Sequence, residues 1–309
     1  MAVVPSDLVT QWSTEFETLF LAQFNQSVAV ERARLEPLIM EIPLGDHMGN
    51  TVQLDWLGAA PQMREWVDEK QALGIGEHNW SVRVKRYEAS IDVDLDAFRD
   101  ARFNPYQPRL LEMAQNASRI RYNLISDLVV GGAATKCYDG QNFFDTSHSE
   151  GDSGTQSNKL TGTGTTAAAL KTDYYSAYTA LCGFKDDKGV PMAPSEFRPL
   201  IWAPNSAALI QQFEDLRGAP LISNSTNILA NRFDLVIDPR LTDANDWYMF
   251  RTDGAMRPFI VVNREEPHYR DNFGSTADDV FKRRKGMASV EARLAATYGL
   301  WQKAVQVVN

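Results

Sequence analysis

Several short runs place reactive residue types at suggestive spacings. In Gly151-Asp152-Ser153-Gly154 a serine sits between glycines beside an aspartate, the setting of an activated nucleophile. Such a serine needs a histidine as base and a second aspartate to orient that histidine. The upstream histidines, His47 in GDHMG and His78 in GEHNW, are in no such setting. Gly162-Thr163-Gly164-Thr165-Thr166-Ala167 matches the dinucleotide fingerprint and opens a helix. That fingerprint needs an apolar strand just before it, and GTQSNKLT is not one, so the run reads as a flexible loop and an N-cap. Asp92, Asp94 and Asp96 resemble the start of a calcium loop, but Ala97 replaces the sixth-position glycine and Phe103 the twelfth-position glutamate. They read better as the solvent face of a strand. Asp145, Ser147 and His148 read as local turn chemistry. His47 and His268 have no third ligand in sight, and Lys282–Lys285 reads as a solvated strand or an intersubunit salt bridge. No catalytic constellation, metal site or cofactor site is expected.

Composition narrows the class. The 309 residues carry 31 basic and 40 acidic side chains, a net charge of −9. That balance argues against wrapping nucleic acid with the whole surface, which needs clustered Lys and Arg, and against an anionic membrane. Cys137 and Cys182 are far apart and read as reduced, buried thiols. The opening MAVVPSDLVTQW has neither a basic stretch nor a long apolar core, so no signal peptide is expected.

The elements that must position these residues fall in a clear order. Pro5–Gln26 is expected to be an amphipathic helix, with Leu8, Trp12, Phe16, Phe20 and Phe24 at four-residue steps. Such a stripe must pack on the body of the chain or on a neighbour. Short strand-like pieces follow to Leu57. The stretch Trp80–Asp96 alternates strongly, with a change of parity at Lys85–Arg86 that suggests a bulge or bend. Residues 46–95 thus read as an extended excursion with little core of its own. Pro108–Val130 carries an apolar stripe at Leu110, Met113, Ala114, Ala117, Ile120, Leu124 and Leu128, and predicts one rod ~35 Å long. Its apolar stripe should face a sheet, and Arg119 and Arg121 should face away. Residues 150–166 read as a mobile surface loop or interdomain connection. Beyond it, helices at Ala167–Phe184 and Pro204–Phe213 alternate with strands at Phe197–Ala203, Asn231–Ile237, Trp247–Phe250 and Arg257–Asn263. That alternation describes a compact α+β unit. Val280–Val308 mixes alternating apolar residues with the basic run.

The runs WLGAAPQMREW (56–66), KRYEASIDVDLDAFRD (85–100), NPYQPRLLEMAQNASR (104–119) and CYDGQNFFDTSH (137–148) resemble the Mu-like phage major head subunit (gpT) family. The order of elements likewise resembles the HK-97-like major capsid fold of tailed phages. The resemblance is stronger over residues 50–160 than towards the C-terminus. It implies an N-terminal arm at 1–45, an E-loop with adjoining strands at 46–95, and a P-domain at 96–166 holding a spine helix at 108–130. It further implies an A-domain at 167–255 and return strands at 256–309 that complete the P-domain and the A-domain. The implied protein is no enzyme: it self-assembles into pentamers and hexamers of an icosahedral shell around double-stranded DNA. The implied partners are copies of itself, scaffold, maturation protease, portal and decoration proteins, with DNA held non-specifically on the inner face and no membrane. Shells would be assembled in the host cytoplasm and kept in the virion. No long charged prodomain is visible, so scaffolding is expected to be separate or already removed. Trp12, Phe16, Phe20, Trp66, Arg83 and Lys85 are the expected intersubunit contacts. A serine hydrolase using Ser153 and a ring-forming neck or tail protein are the alternatives.

Overall fold

The computed structural model describes residues 6–44, 49–54, 80–94, 96, 106–222, 225–274 and 278–309. Helix α1 spans Ser6–Leu35, nine residues beyond the expected end at Gln26. No glycine or proline interrupts Ser27–Leu35, so the helix runs on until Pro37. A residue preceding proline avoids the α region, and the chain tightens there into the 3-10 turn Glu36–Leu38. Strands β1 (Ile39–Pro43), β2 (Thr51–Gln53), β3 (Ser81–Arg83) and β4 (Lys85–Asp94) follow. The break between β3 and β4 at Val84 lies one residue from the expected parity change.

The expected single rod is two helices, α2 (Gln107–Ser118) and α3 (Ile120–Gly131). Arg119 leaves helical geometry at φ −84°, ψ −1°, and its N–H bonds back to the Asn116 carbonyl at 3.2 Å. The Ser118 hydroxyl donates to the Gln115 carbonyl at 2.7 Å, the local competition by which serine bends helices. Periodicity carries through such a break, because the apolar stripe keeps its face.

The remaining elements are β5 (Lys159–Thr161), α4 (Ala167–Gly183), β6 (Pro199–Pro204), α5 (Ala207–Gly218), β7 (Leu221–Ile222), β8 (Ser225–Thr226), β9 (Asp234–Asp238), β10 (Trp247–Arg251), β11 (Phe259–Asp271), α6 (Asp278–Arg283), β12 (Lys285–Tyr298) and β13 (Ala304–Val308). They build two principal sheets. The first runs β1-β11-β12-β4, with β1 parallel to β11 and the rest antiparallel. Strand β11 is far longer than its expected Arg257–Asn263 core. Its pairing with β12 slips between Asn263 and Glu265 and again before His268, where Pro267 has no N–H to give the ladder. Strand β4 is paired along its whole length with β12, although the sequence groups it with the excursion. The second sheet runs β5-β13-β10-β6-β9, and α4 and α5 cover it.

Two apolar cores result. The larger lies between the second sheet, its helices, α3 and the near half of the first sheet. It includes Trp202, Trp247, Trp301, Phe143, Phe250 and Phe259. The smaller, at the far end of the first sheet, is closed by α1 and α2. There Phe16, Phe20, Phe24, Leu110, Met113, Val93, Val290 and Phe273 pack together. The break at Arg119 falls where α2 leaves the smaller core and α3 enters the larger. A cleft of about 320 Å³ opens at that level, between α1, the α2–α3 junction, β1 and β11.

Candidate functional site

The runs that invited chemistry are used structurally. Ser153 is buried, and its hydroxyl accepts from the Glu150 N–H and donates to the Gly154 carbonyl, both at 2.9 Å. Gly151, at φ +49°, lies so close to the Asp187 carbonyl that a Cβ would overlap it. The run is therefore a turn clamped on the 185–191 segment. In the glycine run, Thr163 gives its N–H and hydroxyl to the Asp173 carboxylate, and Gly164 gives its N–H to Asn309 Oδ1 at 2.9 Å. Where a pyrophosphate would sit, the chain has placed its own acceptors. The segment 148–161 is fastened at several points. His148 and Gln156 exchange backbone hydrogen bonds, Asn158 is fully buried, and Lys159–Thr161 is an edge strand beside β13.

The aspartates of β4 lie on its exposed face as expected, and Asp96 pairs with Arg284 at 3.2 Å. Lys282 and Arg283 end α6, and Arg284 turns the chain into β12 at φ +54°. The basic run is therefore a helix end, a turn making an intrachain bridge, and the first residue of β12. Asp145 bonds the Ser147 N–H and hydroxyl in the expected turn. His148 does not join them.

His148 belongs to a buried polar centre that the sequence did not reveal. Its Nδ1 lies 2.5 Å from Asp139 Oδ2, and its Nε2 lies 3.2 Å from Asn158 Oδ1. Its ring stacks on the Trp301 indole, with centroids 4.0 Å apart and planes 7° apart. Cys137 donates its S–H to Asp139 Oδ1 at 3.0 Å. Burial, then the Asp139 carboxylate beside it, pushes the Cys137 thiol well up, so it stays protonated. Burial alone would raise Asp139 too, but the bonds from His148 and Cys137 hold its carboxyl below the usual range. One shell out, Glu150 Oε1 accepts from Tyr138, Trp301 Nε1 and Gln302.

Cys137, Asp139 and His148 are the one group among the described residues with ligand types close enough to consider for a metal. The geometry argues otherwise. Two ligands held at ~2.1 Å on a tetrahedral metal stand ~3.4 Å apart, whereas Nδ1 and Oδ2 are separated by 2.5 Å. In this arrangement the pair is hydrogen-bonded rather than spread around a metal.

Two further buried networks brace the larger core. Asp238, fully buried, accepts from Tyr122 and Ser126 of α3 at 2.6 Å each and from Trp202 of β6 at 2.8 Å. It thereby fastens α3 to the second sheet. Arg251 is buried in a bidentate pair with Asp253 at 2.9 and 2.8 Å, and Lys303 donates to the Asp253 carbonyl. Burial pulls the Lys303 ammonium down to about 8.

The expected contact residues are scattered. Phe16 and Phe20 have no exposed surface in the single chain. Phe16 meets Phe273 edge-on at 5.6 Å, and Phe20 lies against Phe24 and Tyr269. Of the two choices the sequence left open, the chain's own body is what covers them here. Trp12 is half-buried at the rim of the same core. Arg83 ends β3 and Lys85 begins β4, both exposed. Trp66 lies outside the described residues. Arg121, expected to face away, is only 14% exposed and bridges Glu41 at 2.9 Å and Glu266 at 2.5 Å in the cleft. Arg119 points outward but lies 3.8 Å from Glu31. Beyond the cleft, β4, β11 and β12 present a charged face on which Arg293 pairs with Glu265 and Arg270 with Glu291. No helix among the described residues is long and apolar enough to cross a membrane.

Comparison with known proteins places this architecture. The major capsid protein of Escherichia phage Mu is 36% identical over 93 residues, 30% of each chain. The Mu-like prophage FluMu major head subunit of Haemophilus influenzae is 22% identical over 249 residues, covering 81% of this chain and 58% of that protein. The chain thus spans less than two thirds of the length of either curated relative. Among solved structures, a chain of the procapsid of bacteriophage JBD30 superposes with a TM-score of 0.58 at 18% identity, over 99% of this chain and 76% of that one. The fold is that of phage capsid proteins, the HK-97-like α+β architecture. The family model for the Mu-like prophage major head subunit gpT matches residues 14–170 and 240–309. This chain belongs to the Mu-like major head subunit gpT family.

Proposed function

We propose that the chain is a shell subunit of a tailed-phage or prophage head. Copies of it close into pentamers and hexamers that enclose double-stranded DNA. The observation that carries the reading is the fold match over 99% of the chain to a procapsid subunit, joined to the family match. The catalytic-looking runs support it: Ser153, Thr163 and His148 are each engaged by internal hydrogen bonds. Heterologous contacts that close by rotation build rings of five or six from one chain. A net charge of −9 lets such a shell hold DNA without gripping it.

In this reading residues 1–45 are the arm, 46–95 the E-loop with adjoining strands, 96–166 the P-domain, 167–255 the A-domain and 256–309 the return. Trp12, Trp66, Arg83 and Lys85 meet neighbouring subunits, while Phe16 and Phe20 hold the arm that presents Trp12. Scaffold, maturation protease, portal and decoration proteins come from other chains, and assembly takes place in the host cytoplasm. The test is to identify the polypeptides of purified virions by mass spectrometry and to treat the same chain with a fluorophosphonate probe. The reading expects the chain as a dominant virion polypeptide that stays unlabelled. Absence from virions, or labelling lost in Ser153→Ala, would reject it.

A further inference from the structure

The hydrogen-bond roles around His148 leave little freedom. Asn158 Nδ2 donates to the Phe143 carbonyl at 2.7 Å, and Asn158 Oδ1 accepts from the Asp145 N–H at 2.9 Å. Turning that amide over would set oxygen against oxygen and N–H against N–H. Its Oδ1 is therefore an acceptor, and His148 Nε2, 3.2 Å away, must carry a hydrogen to face it. On the other side of the ring, Nδ1 faces a carboxylate already accepting from the Cys137 S–H and the Gln141 N–H. We infer that His148 is a buried imidazolium, protonated on both ring nitrogens, and that this proton latches the 137–158 segment to the turn at Trp301–Lys303.

Two features favour the charged ring over a neutral ring facing a protonated Asp139. The imidazolium lies flat over the Trp301 indole, the face that attracts a cation. Apart from the ring, Asp139 Oδ1 accepts from two donors, the Cys137 S–H and the Gln141 N–H, a pattern that favours an ionised carboxylate. The other titratable groups around the ring are Cys137, Tyr138, Asp145 and Glu150, from its own segment. From the C-terminal turn, Lys303 bends away to Asp253. The neighbouring 184–192 segment contributes Phe184, edge-on to Trp301.

The experiment uses the full chain, assembled or not, labelled with 15N in its histidine rings and examined at pH 8 by magic-angle-spinning NMR. His268 is an internal reference: Arg270 donates to its Nε2 at 3.1 Å, so that nitrogen must be bare. The expected result is a histidine with two protonated ring nitrogens that lie close in space to the Trp301 indole and disappear in His148→Gln. If that variant does not fold, the through-space contact to Trp301 still assigns the signal in the unmodified chain. A bare nitrogen on His148 at pH 8 would overturn the inference. So would stoichiometric zinc in the purified protein that is lost in Cys137→Ser, because a metal would then replace the proton.

Discussion

At the scale of single residues, the chain turns reactive groups into fastenings. Ser153, Asp139, His148 and Asp238 would each draw attention in an active site, yet each has its hydrogen bonds filled from within. Lys303 is the residue that bears this cost most visibly. Its ammonium is buried and pulled down to about 8, while an unfolded lysine titrates near 10.4. Below pH 8 both states hold the proton, and the native chain carries the full penalty of burying a charge. Between about 8 and 10.4 the native chain sheds the proton while the unfolded chain keeps it, so this group raises stability with pH, by at most ~1.4 kcal/mol per unit. The buried Cys137 thiol and the buried tyrosines act in the opposite direction at alkaline pH, because folding keeps their protons on. The difference between Lys303→Met and the unmodified chain isolates the lysine. In denaturant titrations from pH 7 to 10 the variant should lack this positive contribution, leaving its stability to fall more steeply with pH. Parallel pH profiles would contradict the assignment. The Asp139–His148 pair was out of reach of sequence reading because a nine-residue separation gives no periodic signal. Asp145, three residues from His148, was the more obvious partner and was not the one chosen.

At the scale of elements, apolar spacing was legible and its interruptions were not. The Phe16–Phe20–Phe24 stripe marked α1 and its buried face, and the alternation of 80–96 marked β3 and β4 with their break one residue from the expected place. The spine stripe was equally clear, but Ser118 and Arg119 carry no glycine or proline to announce a break. Arg121 was misjudged because the partners that bury it, Glu41 and Glu266, come from β1 and β11, 80 and 145 residues away. The loop 150–166 looked mobile from its small polar composition, and is held by Asn158, Glu150 and β5 through contacts with residues near 301–308. Two predictions belong at this scale. Phe16→Ala and Phe20→Ala should each cost roughly 3–5 kcal/mol in chemical denaturation, the range for deleting a buried phenylalanine. A change below ~1 kcal/mol would mean that α1 is not seated as described. Deleting residues 1–26 removes all three phenylalanines and opens the smaller core, while leaving the larger one untouched. The truncated chain should still unfold cooperatively but form no shells, as judged by circular dichroism and sedimentation. Normal assembly of the truncated chain would reject a role for the arm.

At the scale of the whole molecule, two sheets share the larger core, α3 and the Asp238 network fasten them, and a smaller core closes the far end of the first sheet. The α+β, HK-97-like fold class was legible from the order of elements. The pairing of β4 with β12 and of β1 with β11 was not, since neither register nor partner can be read from one strand alone. The central claim is that this molecule exists to contact copies of itself on several surfaces at once. It is tested most directly by purifying the overexpressed chain and examining it by negative-stain electron microscopy over a range of ionic strengths and concentrations. Closed shells, or rings of the size of pentamers and hexamers, are the predicted result. A chain that stays strictly monomeric under every condition, and is missing from purified virions, would contradict it.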